Sequence, residues 1–296
     1  MPTYNMAVKY SPKVDERFEK QSQAGLVTNN SYSFDGVDTV KVYSIDTVQM
    51  NNYDRHGSGT TSWSRYGAPT DLGDTVQTMQ VTQDRSWTFI IDKLDYKQSE
   101  MVRKAGRACA RQVAQVVIPE YDAYVFLKLG QAAYGNTRGS GTGTTRPFVD
   151  SATQVSASNA YATFLKGQEA LGNALVPDAG RVALCSYAFA NFLKQDPAFM
   201  KYGNVSQDMV IKGILGEVDG VKIVKVPASR LPAGCNFILC HPMATVAPKQ
   251  LWEYKIHTDA PGISGWLCEG RVVYDAFVLN NKKDAIYYCG ATGDID

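Results

Sequence analysis

The chain has 296 residues, 44% of them hydrophobic and 20% charged, enough for a sizeable core in one large domain or two modest ones. Thirty lysines and arginines stand against twenty-nine aspartates and glutamates. Nothing in so neutral a balance marks a dedicated nucleic-acid or polyanion binder, so any electrostatic partnering must be local.

The N-terminus, "MPTYNMAVKYSPKVDERFEK", has no apolar core of signal-peptide length, and no later stretch approaches the roughly 18 apolar residues that span a bilayer. A chain that is not secreted by this route and has no membrane partner is expected. Residues 1–36 are rich in Lys, Glu, Gln, Asn and Ser, with Phe18, Leu26 and Val27 isolated among them. They read as an extended arm, poorly ordered alone and fixed by lying along another chain. "TVKVYSIDTVQM" (39–50) is rich in β-branched residues, and in "TVQTMQVTQDRSWTFIID" (75–92) Met79, Val81, Trp87, Phe89 and Ile91 alternate with polar residues. Both predict strands. The two dozen residues between them carry four glycines and a proline and show no periodicity, which makes a projecting hairpin. A two-stranded ribbon is marginal in water by itself and needs packing from outside its own domain.

"QSEMVRKAGRACARQVAQVV" repeats Val102, Ala105, Cys109, Val113 and Val116 at spacings of three and four, predicting a long amphipathic helix capped at Ser99. Pro119 kinks it or starts a second helix through "PEYDAYVFLKLGQAAYG". The glycine-rich "RGSGTGTTRP" follows. A helix from Ser158 through Leu175 is expected to bury Tyr161, Phe164, Leu165, Gln168 and Leu171. After it come a short strand in "RVALCSY", a helix stopped near Pro197, a hairpin turning at Asp219 and Gly220, and a buried strand in "CNFILCHP". Two last strands, "RVVYDAFVL" and "AIYYC", flank a turn at Asn280–Asp284.

Four groups of residues could carry chemistry. A phosphate loop needs a buried strand before it and a helix directly after it. "RGSGTGTTRP" follows a helix and runs into Pro147, so Gly139, Gly141 and Gly143 read as a flexible hinge. Cys235, Cys240 and His241 lack the close-pair spacing of structural zinc, and Cys235 and Cys240 should point to opposite faces of one strand. The six cysteines read as small reduced core residues. "HGSGT" at 56–60 lies in the hairpin tip and has no nucleophile-elbow context. Arg103, Lys104, Arg107 and Arg111 form a basic helix face, either solvated or paired to carboxylates of a neighbouring subunit. No catalytic, cofactor or metal residues are expected from these patterns, and no enzyme.

The order of elements, together with "TVKVYSIDTVQMNNYDR", "SRYGAPTDLGDTVQTMQVTQDRSWTFIIDKLD", "IPEYDA", "GEVDGVKIVKVPASRLP" and "GRVVYDAFVLNNKKDAIYY", resembles the major capsid proteins of tailed bacteriophages, the Hong Kong 97 fold. The resemblance covers most of residues 26–290. It implies an α+β fold with an N-terminal arm (1–36), an extended β-hairpin loop (37–92), a peripheral domain with a long spine helix and flexible joint (93–149), an axial mixed α/β domain (150–258) and C-terminal strands returning to the peripheral domain (259–296). It implies self-assembly into hexamers and pentamers of an icosahedral shell around double-stranded DNA, held without sequence specificity. The implied location is the virion, after assembly in the host cytoplasm.

A separate scaffolding protein, a portal and decoration or head-completion proteins are the implied partners, since no long charged helical segment precedes the arm. The tip from Asn51 to Asp74 contains no lysine, so no lysine–asparagine crosslink to Asn280 or Asn281 is expected. Contacts between subunits are expected from Asp54, Arg55, Trp63, Arg65, Tyr66, Asp71 and Asp74 in the tip and from Arg103, Arg107 and Arg111 on the helix. An encapsulin-like compartment shell is the alternative within the fold. A soluble α/β enzyme binding a phosphorylated ligand at Gly139–Gly143 is the alternative outside it.

Overall fold

The computed structural model describes residues 21–29, 31–32, 34, 39–45, 47–56, 64–98, 105–137, 146–197, 216–258 and 260–295. The chain forms two compact units, a small one of Gly36–Gln80 and a large one of all the rest.

The large unit is built on strands whose apolar runs leave no polar face. β5 (Val182–Ser186) and β13 (Ile286–Gly290) are buried along their whole length, as strands covered on both sides must be. They join β4 (Val149–Asp150), β6 (Glu217–Val218), β7 (Val221–Val226) and β8 (Cys235–Cys240) in one sheet of order β4-β13-β8-β5-β7-β6. The final strand therefore lies in the same sheet as β5, β7 and β8, so the expected boundary at residue 258 passes through a single sheet.

Alternate residues feed two cores. Val182, Leu184, Ile238, Cys240, Ile286 and Tyr288 pack with helix α3 (Ile118–Tyr134). Ala183, Cys185, Phe237, Leu239, Tyr287 and Cys289 pack with helices α4 (Ala160–Asn173) and α5 (Tyr187–Gln195). The result is three layers, the period of two in each strand sending successive side chains to opposite helices. Cys235 departs from that period. A register shift at Gly290 places Cys235 in the same core as Cys240, against the expectation of opposite faces. All six cysteines are buried thiols, as read from the sequence.

Helix α1 (Lys93–Gln98) follows strand β3 (Gln83–Asp92) directly, and α3 continues α2 (Ala105–Gln112) through one π-helical turn, Val113–Val117, with Pro119 in its first turn. Proline has no N–H and crowds the carbonyl four residues back, and the wider π turn accommodates both defects without breaking the helix. The expected cap at Ser99 lies outside the described residues. In α4 the buried stripe is Ala160, Thr163, Phe164, Gly167 and Leu171, whereas Leu165 is exposed, contrary to expectation. A side chain at Gly167 would start 3.0 Å from the Tyr287 ring, so this glycine lets the helix lie flat on the sheet and turns Leu165 outward. The hairpin turn falls where expected, with Asp219 at φ 51° and Gly220 at φ 72°.

A second sheet in the large unit has three antiparallel strands, with β11 (Gly265–Tyr274) between β10 (Lys249–Thr258) and β3 (Gln83–Asp92). Two single strands expected from the sequence are each divided here. The stretch 75–92 becomes β2 (Asp74–Gln80) and β3, broken where the Thr82 N–H and hydroxyl donate to the Asp275 carboxylate at 2.9 and 2.8 Å. "RVVYDAFVL" breaks at that same Asp275, and Phe277–Val278 forms a short strand, β12, paired with Thr245–Val246, β9. The described part of the expected arm is also seated on its own body. Ala24 and Val27 are fully buried, and Phe34 stacks on Phe277 with ring centroids 5.8 Å apart.

Candidate assembly surface

The small unit carries seven of the ten residues expected to meet neighbours. β1 (Thr39–Ile45) pairs antiparallel with β2 in unbroken register from Thr39–Gln80 to Ile45–Asp74. The Ser44 and Thr75 hydroxyls meet at 2.6 Å across the ladder. One face of this ribbon presents Tyr43 opposite Val76, with Ile45 one step further along. These three side chains are 67%, 48% and 68% exposed. On the other face Val40 and Val42 are half-buried and Met79, opposite Val40, is buried. Beyond the strands Val48, Met50, Tyr53, Tyr66 and Leu72 are also exposed. Among the described residues, eight of the eighteen exposed large hydrophobic ones thus lie in this one short unit, a concentration that marks an interaction surface.

The tip has local order of its own. The Asp54 N–H donates to the Arg65 carbonyl at 3.0 Å, and Tyr53 meets Tyr66 edge-on at 5.0 Å. Gly67 has φ 91° and packs under the Asn51 side chain, where a Cβ would stand 2.8 Å from Nδ2. Of the expected contact residues, Arg55, Arg65, Tyr66, Asp71 and Asp74 are exposed and Asp54 is partly covered. Trp63, Arg103, Gly139, Gly141 and Gly143 lie outside the described residues. In the large unit Arg107 is exposed and Arg111 is partly buried, with its Nε enclosed. The apolar face of the ribbon is absent from the expected contact set. Its signal was the occurrence of apolar residues at both even and odd positions, Val40, Val42, Tyr43 and Ile45, which leaves no purely polar side for water.

In the large unit a groove of about 510 Å³ lies on the β3-β11-β10 sheet, lined by Trp87, Thr88, Glu253, Lys255, Glu269 and Arg271 among others. Its side chains pair across and along the strands. Arg271 Nε donates to Asp84 at 2.9 Å, Lys255 lies 3.5 Å from Glu253, and His257 lies 3.5 Å from Glu269. The hydrogen bond from Arg271 holds the Asp84 carboxyl below its ordinary range. Burial pushes the thiols of Cys240, Cys268 and Cys289 up to about 12, which makes them poor nucleophiles. Among the described residues no cluster of His, Cys, Asp and Glu could hold a metal ion. No helix among them is long and apolar enough to cross a membrane.

No protein-family model matches the sequence, and no curated protein sequence does. Solved structures match over nearly its whole length. A chain of Mycobacterium phage Che8 aligns with a TM-score of 0.74 and 16% identity, over 97% of both chains. A chain of the Cyanophage P-SCSP1u capsid aligns at 0.73 and 14%, over 97% of this chain and 93% of that one. One from the mature capsid of bacteriophage PhiM1 aligns at 0.72 and 12%, over 97% and 92%. The chain has the fold of these phage chains, two of which come from capsid structures, the fold class that its element order implied.

Proposed function

We propose that this chain is the major capsid protein of a tailed phage, a structural subunit rather than an enzyme, which assembles with copies of itself into an icosahedral shell. The observation that carries the proposal is the ribbon of Gly36–Gln80, whose exposed apolar face needs a neighbour, in a chain matching phage capsid subunits from end to end. In this reading the ribbon interlocks adjacent subunits. The α2–α3 rod and the three-stranded sheet form the peripheral part, and the six-stranded sheet with α4 and α5 forms the axial part. Gly139, Gly141 and Gly143 join the two parts and let the subunit bend where hexamers and pentamers differ.

Asp54, Arg55, Arg65, Tyr66, Asp71 and Asp74 rim the apolar contact and, with Trp63, Arg103, Arg107 and Arg111, set its register. Each contact is weak alone, and a closed shell repeats it many times. A near-neutral subunit suits a wall that encloses DNA without gripping it. A separate scaffolding protein, a portal and decoration or head-completion proteins complete the particle, which is built in the host cytoplasm and ends as the virion shell. Electron microscopy of the purified chain tests the proposal. Closed particles, rings or sheets are the expected result, with assembly blocked in R55E or R65E while the monomer stays folded. Monodisperse monomers under all conditions would overturn it.

A further inference from the structure

A buried charge pair binds the chain's own N-terminal segment. Asp122 on α3 is fully buried and Arg230, which follows β7, is 2% exposed, with Nη1 and Oδ2 2.9 Å apart. Burying two ions costs roughly what their attraction returns, so such a pair persists only where further hydrogen bonds fill the remaining lone pairs and donors. Residues 21–24 supply them. The Ser22 hydroxyl donates to Asp122 Oδ1 at 2.7 Å, the Gln23 N–H to Oδ2 at 3.0 Å and the Ala24 N–H to Oδ1 at 3.3 Å. Arg230 Nη1 in turn donates to the Gln21 carbonyl at 3.2 Å.

The segment makes one 3-10 turn, Ala24–Leu26, and Gln23 at its start provides no side-chain cap. A carboxylate 98 residues further along the chain caps it instead. Ala24 in the turn and Val27 just past it fill the core beside α3. The Asn29 N–H then donates to the Thr245 carbonyl at 2.8 Å, and its side-chain amide to the Pro242 carbonyl at 2.9 Å. A slip of one residue would carry the Ser22 hydroxyl away from the carboxylate and force a glutamine or a glycine into the enclosed site of Ala24. The pair therefore selects one register. Ala24 and Val27 are the segment's two fully buried apolar side chains between residues 21 and 29, few compared with β5, β8 or β13 of the six-stranded sheet. Segments with so little buried apolar contact open at lower free energy than the core they rest on.

We propose that Asp122 and Arg230 form a receptor for the N-terminal segment, which acts as a strap over residues 21–29, seated in one register and able to leave the body without unfolding it. This does not depend on the shell reading. Hydrogen exchange measured by mass spectrometry on the full chain tests it, in D122N and in D122L/R230M, which replaces the pair by apolar side chains. The expected result is exchange at least about tenfold faster in the strap, the ratio for losing one or two hydrogen bonds to a charge, with wild-type rates in β5, β8 and β13. Unchanged strap rates over an intact sheet would overturn the receptor. Equal acceleration in strap and sheet would overturn the separable strap. Should both buried variants fail to fold, S22A removes one bond at the surface end and is read in the same way: acceleration in the strap alone supports the proposal, and either other pattern overturns it.

Discussion

The double substitution Y43T/I45T separates assembly from folding. Both side chains are about two-thirds exposed in the single subunit, and threonine keeps the β-branched preference for a strand. The folded monomer should therefore lose little, about 0.5 kcal/mol for the surface change and at most about 1 kcal/mol for the Tyr43–Val76 pair. Full burial of a large apolar side chain is worth about 1.5–3 kcal/mol, so covering the exposed two-thirds of each would contribute ~1–2 kcal/mol, or ~2–4 kcal/mol for the two at every contact. At about 1.4 kcal/mol per factor of ten, each contact weakens roughly thirtyfold to several hundredfold. Sedimentation velocity and particle counts by microscopy over a concentration series would read the threshold for assembly, and a thermal melt would confirm the fold. Assembly of the double variant at the wild-type threshold would refute the argument that this face is buried between subunits.

Much of the six-stranded sheet was legible because its strands are covered on both sides. "RVALCSY" and "CNFILCHP" are continuous apolar runs bounded by turn residues, and Asp219-Gly220 supplies the left-handed pair a tight hairpin needs. The break at Val81–Thr82 was not legible. The alternation of Met79, Val81 and Trp87 runs straight through it, and what ends the first strand is Asp275, 193 residues away. Strand β10 could have been found, since Trp252, Tyr254 and Ile256 alternate with Glu253, Lys255 and His257. Asp122 and Arg230 left no local trace, because a buried ion pair is recognisable only when both partners are placed together. At the assembly surface, reading the tip for charges drew attention from the strands, whose apolar residues on both faces already required a second layer.

Leu175 ends α4 at φ 59° with its side chain 91% exposed, so L175G relieves a strained backbone at no packing cost and should raise stability by about 0.5–1 kcal/mol in a thermal or denaturant melt; a loss of that size would refute the strain. T82V removes one of the donors to the buried Asp275 and should cost about 1–2 kcal/mol in the same melt, an unchanged midpoint refuting the role of that bond. At alkaline pH burial raises the hydroxyl groups of Tyr121, Tyr124, Tyr274, Tyr287 and Tyr288 above their ordinary range, those of Tyr124 and Tyr274 to about 12. The native state then keeps protons that the unfolded chain releases above about pH 10, so stability is complete below that pH and falls as pH rises towards about 12. Tyrosinate absorbance should show these five ionising in one step together with the loss of far-ultraviolet dichroism. Smooth ionisation of all seventeen tyrosines while the dichroism stays native would show that water already reaches the four rings on and beside α3 and that of Tyr287 under α4.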